Sequence, residues 1–190
     1  RYESLHVDER FVPGPLDLPQ LWEAQTAALC IPNTGMAVTT DICEVHDIHP
    51  TNKREVGRRL SLWALTHTYG RDGIVYSGPL YKTMEIEGAR IRLHFDHAAE
   101  GLKTRDGKEP DWFFVAGEDK VFHPGKAEID GRMVVVSSTE VTKPAAVRFG
   151  FHQEAQPNLV NSADLPASPF RTDDWPIERG WQPFPMEARN

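Results

Sequence analysis

The 190-residue sequence predicts an α/β segment over residues 1–75, followed by an antiparallel β-sandwich-like domain over residues 76–190 with an extended C-terminal tail. Three observations predict this order. Apolar residues recur at helical spacing in two stretches before residue 75, a short β-prone run lies between these stretches, and apolar residues alternate at a spacing of two after residue 75. In α/β segments, ligand sites collect in the loops that follow the strands.

Two helices and one strand are predicted in the α/β segment. Asp17 is a candidate N-cap for the first helix, which ends at residues 32–35 (PNTG). The β-prone run over residues 36–40 predicts a buried strand. Asn52, with Glu55 three residues later, resembles the capping box of a second helix. The apolar faces of the two helices are Leu18, Leu21, Trp22, Ala28 and Leu29 in the first and Val56, Leu60, Trp63 and Ala64 in the second.

The β-rich part contains alternating apolar residues on either side of two short connections, at residues 87–88 (EG) and 130–131 (DG). The second of these is a hairpin-turn dipeptide. Residues 112–115 and 146–149 predict further strands, and the tail from Pro166 contains five prolines and is expected to run as extended chain. The alternating residues are Met84, Ile86, Ile91, Leu93 and Phe95 around the first connection and Ala127, Ile129, Met133 and Val135 around the second.

Composition and charge argue against two classes of partner. Hydrophobic residues make up 39% of the chain and the 14 glycines add roughly 7%, and the sum is typical of a globular protein. The net charge is −7, and the basic cluster of Lys53, Arg54, Arg58 and Arg59 falls at helical spacing and is interpreted as a solvated helix face. Nucleic-acid binding would need a basic stripe, and a membrane span would need an apolar run of roughly 18–20 residues. We therefore expect neither nucleic acid nor a membrane as a partner.

The cysteines and the N-terminal residues suggest the redox state and the processing of the chain. Cys30 and Cys43 have no partners at metal-like spacing and are interpreted as two buried free thiols, with a disulfide as the alternative in an exported protein. The sequence begins with Arg1 and lacks a signal peptide, which suggests a mature or truncated product.

Residues 41–50 (DICEVHDIHP) contain two histidines and three carboxylates in a loop that leads into the second helix. A general base in acyl transfer needs an imidazole that a carboxylate orients, and an acid two or three residues before the histidine can do this locally. Two other interpretations stay open from the residue types alone. Asp41, His46 and His49 could bind zinc, or the loop could be a polar connection that ends in a helix cap.

Six motifs spread over almost the whole chain resemble the sialate O-acetylesterase family of the SGNH (GDSL-like) hydrolase superfamily. They are residues 33–39 (NTGMAVT), 47–53 (DIHPTNK), 56–60 (VGRRL), 77–82 (SGPLYK), 115–119 (VAGED) and 165–173 (LPASPFRTD). The resemblance implies that the chain is the C-terminal portion of such an enzyme. Residues 1–75 would then be the C-terminal part of the SGNH-type hydrolase domain.

The family resemblance also implies a chemistry and a base. Such enzymes remove acetyl esters from sugars, typically 9-O-acetyl groups of sialic acid, with a serine nucleophile and without metal or other cofactor. His49 matches the family's catalytic histidine. The superfamily's acid stands three residues before this histidine, but His46 occupies that position here. Asp47 is therefore the first candidate for the acid, with Asp41 and Glu44 in reserve.

The nucleophile is not found where the family places it, upstream of the histidine in a Gly-Gln-Ser-type motif. Ser4 is the only serine before His49, and it has no neighbouring glycine to make a sharp turn. Other serines lie in the β-rich part: Ser77, Ser137, Ser138, Ser162 and Ser168. We therefore expect an upstream part of the same protein to supply the nucleophile and the oxyanion hole, with an O-acetylated sugar as substrate.

Two further expectations follow from the resemblance. Residues 170–175 (FRTDDW) are interpreted as a strap that closes over the hydrolase domain, with aromatic stacking on a sugar as the alternative. The family suggests a periplasmic or extracellular location. The competing interpretation of the whole chain is a non-catalytic fragment, in which residues 76–190 form a carbohydrate-binding or packing β-domain.

Overall fold

The computed structural model describes residues 16–45, 49 and 51–177, and two short helices precede all of its named strands. The helical elements are α1 (Asp17–Ala27), a 3-10 turn (Ala28–Cys30), α2 (Lys53–Trp63) and a π-helical turn (Ala64–Thr68). Both helices lie where the apolar spacing predicts them.

The starts of the two helices differ in how well they were predicted. Asn52 Oδ1 accepts a hydrogen bond from the backbone N–H of Glu55 at 3.1 Å, which confirms the predicted cap of α2. The prediction that Asp17 caps α1 is wrong by one position, because Leu16 is the N-cap residue and Asp17 opens the helix. An acid in the first turn still interacts favourably with the positive end of the helix dipole.

The strand predicted over residues 36–40 is not formed. Residues 34–39 have no regular secondary structure, and no sheet of the described chain includes them. A β-prone run becomes a strand only when a neighbouring strand pairs with its backbone groups, and β propensity depends strongly on such neighbours. The described residues before residue 80 therefore form helices and irregular segments rather than an α/β unit.

The part of the chain that the structure describes then forms ten short strands, and every pair among them is antiparallel. They are β1 (Leu80–Glu87), β2 (Arg90–Asp96), β3 (Leu102–Thr104), β4 (Phe113–Ala116), β5 (Phe122–Pro124), β6 (Lys126–Asp130), β7 (Met133–Ser137), β8 (Ala146–Phe149), β9 (Leu159–Asn161) and β10 (Phe170–Arg171). The change from helix to strand falls close to the predicted boundary near residue 75, and the division into two domains stays a prediction.

The strands form two four-stranded sheets and one two-stranded sheet. Their orders are β1-β2-β7-β6, β10-β8-β4-β5 and β3-β9. Both predicted hairpins are confirmed, since Glu87 pairs with Arg90 and Asp130 pairs with Met133 across two-residue turns. Gly131 has a φ of 63°, the left-handed conformation that a tight hairpin turn requires.

One hydrophobic core receives side chains from both four-stranded sheets. Its members include Ile91 and Leu93 of β2, Val115 of β4 and Phe149 of β8, all with no exposed surface. The predicted alternation in β7 is wrong by one residue, because Val134 and Val136 face this core whereas Met133 and Val135 do not. The fold is thus mostly antiparallel sheet with two short helices.

Among the described residues, three hydrogen bonds connect the helical part (residues 16–75) to the β part (residues 76–177). Thr26 Oγ1 and Ser168 Oγ lie 3.0 Å apart, Arg171 Nε donates to Glu23 Oε1 at 2.8 Å, and Gln156 Nε2 donates to the carbonyl of Cys43 at 2.8 Å. The extended segment that contains β10 therefore lies against α1. Among the residues described, none of the helices has the length and apolar character needed to cross a membrane.

Candidate active site

The predicted catalytic loop precedes α2, and the structure describes part of it. His49 is exposed, whereas His46 and Asp47 lie outside the described residues. The approach of Asp47 to the imidazole of His49 therefore stays a prediction. The structure does describe the two reserve candidates for the acid, Asp41 and Glu44.

Asp41, the first reserve candidate, is held by Arg59 of α2. Arg59 Nη1 donates to Asp41 Oδ1 at 2.6 Å, and Arg59 Nη2 donates to Oδ2 at 2.7 Å. Only 6% of the Arg59 side chain and 11% of the Asp41 side chain are exposed. This bidentate pair is the geometry in which a guanidinium and a carboxylate bind most strongly. It gives Asp41 a partner other than a histidine and anchors the start of the loop.

The same guanidinium has two more acceptors. Arg59 Nη1 donates to the carbonyl oxygen of Val38 at 2.5 Å, and Arg59 Nε donates to Glu55 Oε1 at 2.9 Å. Burial disfavours the charge of Arg59, but the hydrogen bonds that Arg59 donates to Asp41 and Glu55, and the negative charges of these two carboxylates, outweigh this effect and raise the pKa of the guanidinium. The prediction that Arg59 belongs to a solvated helix face is therefore wrong. Its spacing of four from Glu55 was the signal in the sequence that could have indicated a pair.

Glu55 accepts hydrogen bonds from the buried Arg59 and from the exposed Arg58. Arg58 donates to Glu55 at 2.6 Å and 2.8 Å, and 46% of the Arg58 side chain is exposed. The hydrogen bond from Arg58, followed by the contribution of Arg59, lowers the pKa of Glu55 to about 2 despite the opposing effect of burial. Glu55 therefore stays ionised at the start of α2, where the helix dipole also favours negative charge.

Glu44 and Cys43 lie further along the loop. Glu44 is exposed, and its Oε1 accepts a long hydrogen bond of 3.5 Å from Thr51 Oγ1. The bond from Gln156 to the Cys43 carbonyl attaches this stretch to the β part. Both cysteines are free thiols, but Cys30 is exposed and Cys43 half-buried, so the prediction that both are buried is wrong.

The two buried serines among the described residues of the β-rich part have structural partners. Ser77 is buried, and its Oγ donates to the carbonyl of Gly78 at 2.9 Å. Ser168 is also buried and shares a hydrogen bond with Thr26. Ser4 lies outside the described residues. The buried hydroxyls of Ser77 and Ser168 are thus engaged within the fold.

The alternative zinc site cannot be assembled from the described residues. Across residues 16–45, 49 and 51–177, no group of three His, Cys, Asp or Glu side chains could hold a metal ion. His46 lies outside those ranges, and the carboxylate of Asp41 is bound to Arg59.

An aromatic cluster at the C-terminal end of α2 was not predicted as a unit. Trp63 stacks on His67 with ring centroids 5.5 Å apart, and Tyr76 contacts both rings edge-on. His97 packs against Tyr76 from the β part at 5.0 Å, and burial lowers the pKa of His97. Trp63 is half-buried, and its contact with Tyr76 joins the helical part to the β part. This packing role fits its place on the predicted apolar face of the second helix.

The chain is similar to three proteins of known or curated identity. A solved carbohydrate acetylesterase from Xanthomonas citri is 45% identical, with a TM-score of 0.77 over 80% of this chain and 35% of that chain. The sialate O-acetylesterase of Mus musculus is 40% identical over an alignment of 84 residues, which covers 41% of this chain and 15% of that enzyme. That of Homo sapiens is 38% identical over 60 residues, which cover 30% of this chain and 12% of that enzyme. No family model matches the chain.

These similarities bear on both the fold and the family of the chain. Its fold is similar to that of a carbohydrate acetylesterase, and the identity over four-fifths of the chain is far above the level at which a fold alone is shared. With the curated relatives added, the chain belongs to the sialate O-acetylesterase family. It spans about a third of the solved acetylesterase and less than a sixth of the curated enzymes.

Proposed function

We propose that this chain is the C-terminal portion of a metal-free sugar O-acetylesterase, in which His49 acts as the general base for a serine nucleophile. The observation that carries the proposal is the match of His49 and its motif to the catalytic histidine of a family to which the chain belongs. The chain's fold and its similarity to a solved carbohydrate acetylesterase support the same class of substrate, an O-acetylated sugar.

The proposed reaction is a two-step acyl transfer. His49 takes the proton of the serine hydroxyl while the serine Oγ attacks the carbon of the acetyl carbonyl. Collapse of the tetrahedral intermediate breaks the bond to the sugar oxygen, which receives the proton from the imidazolium of His49. Water then attacks the acetyl-serine with the same base, and acetate leaves. The exposure of His49 is consistent with a base that faces a substrate rather than a core.

Asp47 is the preferred partner of the imidazole. The bidentate bond to Arg59 gives Asp41 a structural role, and the Glu44 carboxylate points toward Thr51. Asp47 stands two residues before the histidine, where a turn of the loop can bring both side chains together. A carboxylate there would hold the imidazole in one tautomer and stabilise its charged form.

The nucleophile and the oxyanion hole are proposed to come from another part of the same protein. The small share of each relative that this chain covers supports this. The surface of the helical part supports it too. Of the eight large hydrophobic side chains exposed in the described chain, six lie before residue 76: Leu21, Ile31, Val45, Leu60, Tyr69 and Val75. Such a concentration of apolar surface is typical of a face that packs against further structure.

In this proposal residues 1–75 complete an SGNH-type hydrolase domain, and residues 76–190 form a β-sandwich-like domain beside it. The hydrophobic core supports the proposal that the β part is a domain of its own, because each buried member of that core lies between residues 91 and 170. The same observation favours the second candidate function, a carbohydrate-binding or packing β-domain without catalysis. Titration calorimetry of this chain with an acetylated sugar would detect binding in the absence of turnover.

The test of the base uses the longer enzyme that contains this chain. We expect His49→Ala to lower kcat for p-nitrophenyl acetate by about 10⁴- to 10⁶-fold while the folded structure persists, because members of such a triad act as a unit. Asp47→Asn should lower kcat if Asp47 orients the imidazole, by up to about 10⁴-fold.

His46→Ala is the matched control, because it removes the other imidazole of the same loop. It should leave kcat within about twofold of the parent, and a metal chelator should have no effect. Full turnover in His49→Ala, or loss of turnover both in His46→Ala and on chelation, would contradict the proposed function.

A further inference from the structure

The network around Arg59 connects the two ends of the loop that carries His49. One end is the segment from Val38 to Asp41, and the other is α2, which begins at Lys53. Arg59 lies in the second turn of α2 and reaches back across the loop to the carbonyl of Val38 and the carboxylate of Asp41. One guanidinium thus donates hydrogen bonds to residues at both ends of the loop that carries His49.

The geometry leaves this arginine little freedom. Arg59 is 5% exposed, and its Nε, Nη1 and Nη2 atoms all donate hydrogen bonds. Each acceptor has its own position along the chain: Val38 and Asp41 before the loop and Glu55 after it. A lysine at this position could not satisfy three separated acceptors in one plane, because it lacks the rigid fork of the guanidinium.

The neighbouring arginine provides the contrast. Arg58 lies on the same helix and bonds to the same Glu55, but its side chain is 46% exposed. The hydrogen bonds described for Arg58 stay within α2. Among the described residues, the hydrogen bonds from α2 to Val38 and to Asp41 at the start of the loop are all donated by Arg59.

From this geometry we infer that Arg59 is a positioning residue for the catalytic base. It sets the distance between the two ends of the loop and so orients the imidazole of His49 toward the serine. The inference rests on the proposed role of His49. Arg59 touches neither substrate nor nucleophile in this account, and its effect on the reaction passes entirely through the loop.

Removal of the guanidinium should affect catalysis more than substrate binding. In the longer enzyme, Arg59→Ala should lower kcat for p-nitrophenyl acetate by about 10- to 100-fold, since misplacement of a reacting group by about 1 Å can cost on the order of 100-fold. KM should change by less than about twofold. Arg59→Lys should lose part of the parent kcat, and Arg58→Ala should keep the parent kcat.

Two measurements separate positioning from general destabilisation. Guanidinium chloride at a non-denaturing concentration should restore part of the kcat of Arg59→Ala, whereas potassium chloride at the same ionic strength should not. Val134→Ala, which removes volume from the core of the β part, should lower the melting temperature and keep the parent kcat at an assay temperature where the variant is folded.

The outcomes distinguish this inference from the proposed function. If His49→Ala abolishes turnover while folded Arg59→Ala keeps the parent kcat, the role of Arg59 is overturned and the base stands. If Arg59→Ala loses rate only in proportion to its unfolded fraction, with no rescue by guanidinium, the role of Arg59 is again overturned. If His49→Ala keeps full turnover, both inferences are overturned.

Discussion

At the scale of single residues, Gly78 lies where two distant segments of backbone cross. A Cβ atom at this position would lie 2.0 Å from the carbonyl oxygen of Pro166 and 2.8 Å from its carbon. The crossing is fastened by Asn161, whose Nδ2 donates to the carbonyl of Ser77 at 2.9 Å, and by the backbone N–H of Ser168, which donates to the carbonyl of Pro79 at 3.1 Å. Glycine is thus required by close approach of another backbone.

Gly78→Ala should therefore destabilise the chain, whereas a second glycine provides the opposite control. We expect the free energy of unfolding to fall by roughly 1–3 kcal/mol or more for Gly78→Ala, because backbone atoms must move. Gly57 lies within α2, and a Cβ there meets nothing within 4 Å. Gly57→Ala should stabilise by about 1 kcal/mol through helix propensity. Urea denaturation of both variants checks this, and equal stability of Gly78→Ala and the parent would contradict it.

At the scale of elements, strand β7 illustrates how pairing selects a buried face. Met133, Val134, Val135 and Val136 are all apolar, so either alternate pair could be assigned to the core. The register decides, because Val134 pairs with Leu93 on one side and Ile129 on the other, and Val136 pairs with Ile91 and Ala127. Directly opposed residues in neighbouring strands point to the same face. Ile91 and Leu93 are fully buried, and their partners in β7 are buried with them.

The two faces of β7 should respond differently to truncation. Val134→Ala should cost about 2 kcal/mol of unfolding free energy, because it removes two methyl groups from a close-packed core and leaves a cavity. Val135→Ala should cost less than about 1 kcal/mol, since Val135 lies on the half-buried opposite face. Thermal unfolding followed by circular dichroism measures both. A larger loss for Val135→Ala would indicate that β7 pairs in a different register.

At the scale of the whole molecule, the two parts differ in how completely they bury their apolar residues. The core of the β part encloses side chains from both four-stranded sheets, whereas the helical part exposes half of Leu21 and nearly half of Leu60, at 50% and 49%. Both residues belong to the apolar faces that helical spacing predicts. A face of this kind is normally covered, so the exposed surfaces of α1 and α2 are where the remainder of the proposed enzyme would pack.

This 190-residue chain alone should have no serine-dependent esterase activity. Loss of a nucleophile alone costs on the order of 10⁶-fold in kcat in a serine hydrolase, and here the proposed oxyanion donors would be absent as well. Hydrolysis of p-nitrophenyl acetate by the chain should therefore equal that of its His49→Ala variant. Addition of a separately expressed upstream segment should restore turnover if the two pack together. Activity of the chain alone that disappears when one of its own serines is replaced would contradict this account.

Several features of this protein could be predicted from local sequence. The cap of α2 by Asn52, the two hairpins and the position of strand β8 depend on turn chemistry and on periodicity over a few residues, and the structure confirms them. The family resemblance, carried by six motifs, is confirmed by the curated relatives and the solved acetylesterase. These features need little information from distant parts of the chain.

Only the tertiary structure decided the buried face of β7, the missing strand over residues 36–40 and the burial of Arg59. Each depends on a partner that is distant in sequence: Leu93 for Val134, a neighbouring strand for residues 36–40, and Asp41 for Arg59. A charged side chain leaves water only when acceptors from several segments converge on it, and periodicity along one helix cannot reveal that convergence. Sequence thus determined the family and the local elements, whereas long-range pairing determined which side chains the fold encloses.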